Sequence, residues 1–307
     1  MKPNNSLVAI FAGPALDNGF YESGYRGAQA ACAQAGLEFV IVEKVGVTRD
    51  ALVAATVEAA KSGPRLCLVH GGSSDVAVQM VAPMFPHVQF LSTHGTQAGS
   101  NFSSFNIRQP QSAFLAGALA ALMTGTGVVG HLSGIRIDPG LHARAAWAQG
   151  VAYTNPDVRM VTCFCGTQDD NAVSYRYANK VIDQGVDVLY TMLNFGRTGA
   201  IDACRERWIK QIGNVIDWCA VHPNVFIGSA VADNGQLVRQ WIDGVISGRL
   251  VQGEVRWLGI ENPSAVRLAF GESVPPGVRD RINAMALAIA DGQIELKKTF
   301  DGAEFPA

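Results

Sequence analysis

Asp17, Asn18, Phe20 and Tyr21 follow the apolar run Leu7 to Ala12 and precede a stretch that reads as a helix. A carboxylate, an amide and two aromatic rings in one short loop suit a flat heterocycle with polar edges, because a ring can stack while its edge is hydrogen-bonded. Loops of the same kind recur after later apolar runs: Gly71 to Ser74 with Gly72, Thr93 and His94, Gly134 to Asp138, Gly166 to Gln168, Asn194 to Thr198 with Phe195 and Arg197, and Asp217 with Trp218. Taken together at strand ends, they point to a small-molecule site without a catalytic set.

Motifs for covalent, redox or metal chemistry do not compete with this reading. Gly125-Thr126-Gly127-Val128-Val129-Gly130 matches G-x-G-x-x-G, but it leaves a helix and enters a strand, the reverse of the order a dinucleotide turn needs. His70-Gly71-Gly72 resembles an oxyanion loop, yet the chain has no G-x-S-x-G elbow to bring a nucleophile to it. There is no G-x-x-x-x-G-K-[ST] and no H-E-x-x-H. Asp169-Asp170 reads as the cap of the helix that follows rather than as a general acid and base. The six cysteines lack C-x-x-C spacing and read as small core residues. No catalytic residue, cofactor or metal is expected.

These loops need a scaffold that brings them to one edge. Strands are expected at Leu7 to Ala12, Glu38 to Val42, Leu66 to Val69 and Gln89 to Ser92, with helices at Tyr21 to Ala35, Arg49 to Ser62 and Asp75 to Phe85 between them. Such alternation specifies βαβ units and a parallel sheet covered on both faces. After a strand at Asn101 to Ile107, Gln109-Pro110 breaks the pattern ahead of a buried helix, Ser112 to Met123. The alternation then restarts: strands at Val128 to Leu132, Met160 to Phe164, Val188 to Tyr190 and Gln211 to Asn214, and helices at Leu141 to Tyr153, Asp170 to Gln184 and Gly199 to Trp208. The expectation is an α/β chain of two doubly wound lobes with a cleft between facing sheet edges. Lobe 1 is 1–108 plus about 226–256, and lobe 2 is 109–225 plus about 257–307. The last third, with too few elements for a third domain, returns to complete both lobes and makes the connection several strands thick.

With 307 residues, 48% of them hydrophobic and 16% charged, the chain has ample core. Its formal charge of −2 and the lack of a Lys/Arg block argue against nucleic acid as a partner. The longest apolar run, Ala113 to Met123, is shorter than the roughly 20 residues that span a bilayer. Met1 to Ser6 carries no secretory signal, so the chain is expected either to be cytoplasmic or to begin after a signal has been removed.

Several blocks resemble the basic membrane protein (PnrA-like) family, substrate-binding proteins of ABC transporters for purine nucleosides and related heterocycles. They are Asp17-Asn18-Gly19-Phe20-Tyr21 with Gly27; Phe114-Leu115-Ala116-Gly117 through Leu122-Met123-Thr124 and Gly127 to Gly130; and Gly150-Val151, Asn155-Pro156, Gly166 to Asp170 and Asp183-Gln184-Gly185-Val186-Asp187-Val188. The resemblance implies a periplasmic-binding-protein fold of type I with a multi-strand hinge, two lobes closing on ligand and Phe20 as the stacking ring beside Asp17. Trp218 or Phe195 then stacks from the second lobe, while Asp17, Asn18, His94, Asn194 and Asp217 read polar edges. His94 stands where the family has a carboxylate and Tyr21 where it has an asparagine. The family lysine falls near Ala232, so Arg197 is the cation left for an anionic or carbonyl-rich edge. The implied protein is a monomer that binds a purine-like ligand and passes it to ABC permease subunits, periplasmic or anchored outside the cytoplasmic membrane. The alternatives are a cytoplasmic sensor on the same fold and a nucleoside-processing enzyme using Asp169 or Asp170 with a histidine.

Overall fold

A computed structural model describes residues 4–72, 74–250 and 253–306. Met1 to Pro3, in the stretch read for a secretory signal, and Ser73, in the loop Gly71 to Ser74, lie outside the described residues. The chain divides into two compact units, Met1–Ile107 with Asp233–Leu258, and Arg108–Ala232 with Gly259–Ala307.

From the N-terminus run β1 (Asn4–Phe11), α1 (Phe20–Ala35), β2 (Glu38–Val42), α2 (Arg49–Lys61), β3 (Pro64–His70), α3 (Ser74–Val81) with a 3-10 turn (Ala82–Met84), β4 (Gln89–Thr93) and β5 (Phe102–Ile107). The second unit opens with α4 (Gln109–Met123), β6 (Val128–Ser133), α5 (Asp138–Thr154), β7 (Arg159–Phe164) and α6 (Asn171–Ile182). It continues through β8 (Val188–Met192), α7 (Arg197–Glu206), β9 (Lys210–Val215), a single-turn α8 (Trp218–Val221) and β10 (Phe226–Ala232). The helix α9 (Asn234–Ile246) and β11 (Val255–Leu258) return to unit 1; β12 (Val266–Phe270) and α10 (Pro276–Ala290) return to unit 2.

Each unit holds one six-stranded sheet, ordered β11-β5-β4-β3-β1-β2 in unit 1 and β12-β10-β9-β8-β6-β7 in unit 2. Every pairing in the first is parallel. In the second, β12 runs antiparallel to β10 at one edge, a departure from the all-parallel expectation.

Local rules account for most boundaries. Gly36 ends α1 in the left-handed conformation, its N–H bonded to the Cys32 carbonyl. Thr48 caps α2 and Asp170 caps α6, the Asp170 carboxylate taking the N–H groups of Ala172 and Val173. Gln109-Pro110 does not break the chain but opens α4, since a first-turn proline gives up an N–H that has no helical partner anyway. The strand Phe226–Ala232, expected in lobe 1, lies in the second sheet between β9 and β12, so the return to unit 1 falls at Asp233. α7 begins at Arg197 rather than Gly199, and α8 had no counterpart among the expected elements.

Unit 1 packs Ile10, Leu52, Val69, Val78 and Phe90 into one core; unit 2 packs Leu132, Val161, Leu189, Ile201, Trp218 and Phe226 into another. Two of the motif blocks quoted above prove to be scaffold. Gly117 of α4 and Gly150 of α5 mark a helix crossing so close that a Cβ on either would collide with a backbone carbonyl of the other helix, Trp147 or Phe114. Asp187, just ahead of β8, accepts Thr124 Oγ1 at 2.6 Å and the N–H groups of Gly125 (2.6 Å) and Thr126 (3.0 Å). The M-T-G block and the D-Q-G-V-D-V block are therefore two halves of one turn, at the amino edge of the sheet.

Candidate functional site

Parallel strands end on one edge, and in unit 1 the neighbours β1, β3 and β4 deliver their following loops to it. Phe20, His70, Thr93 and His94 meet there. Phe20 is half-buried, with its ring stacked on the His70 imidazole at 4.6 Å between centroids and 17° between planes. His94 approaches the same ring at 5.2 Å and Tyr21 at 5.3 Å, both inclined. Tyr21 also meets Phe11 edge-on at 6.2 Å.

The lip of this site is braced by its own acid. Asp17 is 2% exposed, and its carboxylate accepts the N–H groups of Gly19 and Glu22 at Oδ1 (3.0 Å each) and of Tyr21 at Oδ2 (3.1 Å). These are orphan donors at the start of α1, whose N-cap residue is a glycine with no side chain to serve them. The residue expected on a ligand edge thus holds the loop in shape. Exposed Asn18 is left-handed (φ 56°) and donates its N–H to Glu22 Oε2 at 3.0 Å.

Both imidazoles are oriented. His70 Nε2 lies 3.2 Å from the Phe20 carbonyl oxygen, which can only accept, so Nε2 carries the proton. Burial, with His94 nearby, pushes the His70 pKa down to about 3, so the ring is neutral and Nδ1 accepts from Thr93 Oγ1 at 2.8 Å. Thr93 Oγ1 in turn accepts the Gly71 N–H at 2.9 Å. His94 places Nε2 2.7 Å from Asn234 Oδ1, again a donor to an acceptor, and burial lowers its pKa below the ordinary imidazole value. Asn234 stands at the start of α9, and Ser23 Oγ ties α1 to the same place by donating to Asp233 Oδ1 (2.9 Å) and accepting the Gly235 N–H (3.1 Å). His94 is itself left-handed (φ 64°). Unusual backbone of this kind concentrates at functional sites, and this instance falls at the strand edge the sequence had singled out. Gly72 is exposed in the loop after β3.

In unit 2 the expected residues also lie beyond strand ends, but most are internal. Asn194 and Phe195 are half-buried; the N–H groups of Asn194 and Gly196 both bond the Gln168 carbonyl at 3.0 Å, and Phe195 N–H reaches Asp169 Oδ1 at 3.4 Å. Arg197 is 1% exposed, donating through Nη2 to Asn214 Oδ1 (2.5 Å) and to the Leu193 carbonyl, with its guanidinium 4.4 Å from the Trp218 ring centroid. Trp218 is a core residue: its Nε1 donates to the Asn214 carbonyl (2.9 Å), and His222 stacks on it at 6.1 Å. Asp217 caps α8 through the Cys219 N–H and faces Arg267 at 3.9 Å. Val215, the last residue of β9, is left-handed (φ 71°), a conformation that a β-branched residue strongly resists.

His70 and Asn234 were missed by the sequence reading. His70 closes a strand at the same edge as Thr93 and carries that signal; Asn234 lies far along the chain and reaches the site only through the return of α9. All six cysteines are free and buried, with burial pushing the thiol of Cys67 up to about 12. Among the described residues no group of three His, Cys, Asp or Glu gathers to hold a metal, and no helix is long and apolar enough to cross a membrane.

Two six-stranded, mainly parallel α/β units, each completed by a returning segment, make this a periplasmic-binding-protein type of fold. A crystal structure of an ABC transporter solute-binding protein from Aeropyrum pernix K1 superposes with a TM-score of 0.82 over 96% of this chain and 94% of that one, at 21% identity. The chain belongs to the PnrA-like ABC transporter substrate-binding protein family (Bmp), whose model matches residues 5–280. It is 25% identical over 252 residues to a purine-binding protein of Brucella abortus, covering 80% of this chain and 70% of that protein. It is also 26% identical over 156 residues to basic membrane protein A2 of Borrelia garinii subsp. bavariensis, where the match covers 50% of this chain and spans just under half (46%) of the relative.

Proposed function

We propose that the protein is the solute-binding component of an ABC importer and takes a purine base or nucleoside-like heterocycle at the loops on the carboxyl edges of its sheets. The observation that carries this is the half-buried Phe20 ring flanked by two neutral imidazoles, His70 and His94. A ring on that platform gains stacking energy, and the Nδ1 of His94, whose Nε2–H is engaged with Asn234, accepts a donor from the ligand edge. Asn18, Tyr21 and Gly72 form the surrounding lip, with Asp17 as its brace. Asn194, Phe195 and Asp217 are the polar and aromatic groups that unit 2 offers, while Arg197 and Trp218 support them from the core. The similarity to a purine-binding relative supports the ligand class. Family membership supports permease subunits as partners and a place outside the cytoplasmic membrane.

Differential scanning fluorimetry against adenine, hypoxanthine, guanosine and riboflavin tests the reading. A ligand bound to the native state alone raises apparent stability by about 2.7 kcal/mol at a hundredfold excess over Kd. A melting temperature unmoved by every compound in the panel would count decisively against a purine-like ligand.

A further inference from the structure

We propose that His70 is a positioning residue for ligand binding: it backs the Phe20 ring from one side and, locked by Thr93, sets the orientation in which the opposite face receives a ligand. The inference rests on the ligand reading above and adds a residue and a hydrogen-bond chain to it.

The geometry is over-determined. His70 lies nearly parallel to Phe20 (17°), and Phe11 closes on the imidazole edge-on at 5.7 Å. Gly24 of α1 permits this packing, since a Cβ there would stand 2.7 Å from the His70 ring. Both ring nitrogens are engaged, and the bonds run in one direction: Gly71 N–H to Thr93 Oγ1, Thr93 O–H to His70 Nδ1, and His70 Nε2–H to the Phe20 carbonyl. The Phe20 carbonyl settles the tautomer: it can only accept, so a proton on Nδ1 would set a bare Nε2 lone pair against it, whereas a proton on Nε2 leaves Nδ1 to accept the Thr93 hydroxyl proton. The chain thus joins the loop after β3, the end of β4 and the first residue of α1. It fixes the backbone and the ring of Phe20 together. Preorganising an aromatic platform spares the ordering entropy that binding would otherwise cost.

The test uses the full chain, with hypoxanthine as probe. Wild type, Thr93→Val, Thr93→Ser, His70→Phe and Phe20→Ala are titrated calorimetrically, melting temperatures are recorded, and imidazole 15N shifts of the free proteins are followed from about pH 5 to 8. The expected result is a neutral Nε2–H His70 throughout that range in wild type. Hypoxanthine binding should weaken about fivefold or more in Thr93→Val and return to within about twofold in Thr93→Ser, the size of one net hydrogen bond. His70→Phe keeps a ring under Phe20 but loses both bonds, and should fall with Thr93→Val. Affinity that follows the hydroxyl rather than the melting temperature distinguishes positioning from mere support of the fold. An Nδ1–H tautomer, or wild-type affinity in Thr93→Val while Phe20→Ala abolishes binding, overturns the role of His70 and leaves the Phe20 platform standing. Hypoxanthine bound by neither wild type nor any variant overturns the inference, and it overturns the ligand reading as well only if adenine, guanosine and riboflavin also leave the wild-type melting temperature unmoved.

Discussion

Unit 1 places imidazoles beside the ends of its central strands, whereas unit 2 buries guanidiniums. His70 and His94 flank Phe20 and stay neutral, tied to a hydroxyl, a carbonyl and an amide. Arg144 and Arg197, the buried guanidiniums among the described residues, both belong to unit 2. Arg144 packs between Phe164 and Phe300 (5.1 and 4.7 Å) and donates to Glu304, which also takes Arg136. Arg197 is spent on Leu193, Asn214 and the face of Trp218. The contrast is physical. A buried charge demands close partners and is committed to them, while a neutral imidazole tolerates burial and can keep one nitrogen for a ligand. The buried guanidiniums of unit 2 therefore read as framework, and the neutral imidazoles of unit 1 are the groups on which the proposed binding of an uncharged heterocycle rests.

The largest effect that tests this division is expected at the tail of unit 2. Glu304→Gln leaves the buried Arg144 without the counter-charge of its part-exposed partner and should cost about 2–3 kcal/mol in urea unfolding, below the cost of breaking a fully buried pair. It should leave purine affinity within about twofold, less than the loss of one net hydrogen bond; a collapse of binding would make Glu304 part of the site and erase the distinction. Acid comes next and touches both units, because His131 in unit 2 is also held neutral, its pKa pushed down to about 3 by burial and by Arg144. Both folded values, for His70 and His131, lie below the unfolded one, so the unfolded chain binds more protons and stability falls as pH drops below about 6.5. The loss between about pH 7 and 5 is of order 2 kcal/mol per histidine, and His131→Asn should remove its share of the slope in denaturation curves while leaving that of His70.

Phe20→Ala is the counterpart in unit 1. Loss of a stacking ring should weaken hypoxanthine binding by about tenfold or more, against a small change in melting temperature for a half-buried side chain. A stability loss without an affinity loss would turn Phe20 into core and make unit 1 resemble unit 2. The smallest effect is expected from Asp170→Ala, which uncaps α6 for about 1 kcal/mol by thermal unfolding and leaves ligand binding unchanged.

Much of the scaffold was legible because its causes are local. Gly36, Thr48 and Asp170 mark helix ends by chemistry that acts within a few residues. Strand edges that would carry polar loops could be located from the alternation alone. The roles within those loops were harder to read. Asp17 looked like a ligand group and braces the start of α1; Trp218 looked like a stacking ring and lies in a core; Arg197 looked like a free cation and is enclosed. Composition shows which groups are present, but burial and partner choice depend on residues distant in the chain, such as Asn214 for Arg197 and Asn234 for His94.

By itself the sequence determined the βαβ grammar, the two repeats of it, the family blocks and the set of loops at strand ends, because hydrophobic period, caps and turn residues are written in neighbouring positions. Tertiary structure alone decided that β10 joins the second sheet, that Gly117 and Gly150 are one helix crossing, and that His70 lies beneath Phe20. Those outcomes turn on which distant surfaces meet. A one-dimensional pattern specifies which faces must be covered, and the packing of the whole unit chooses what covers them.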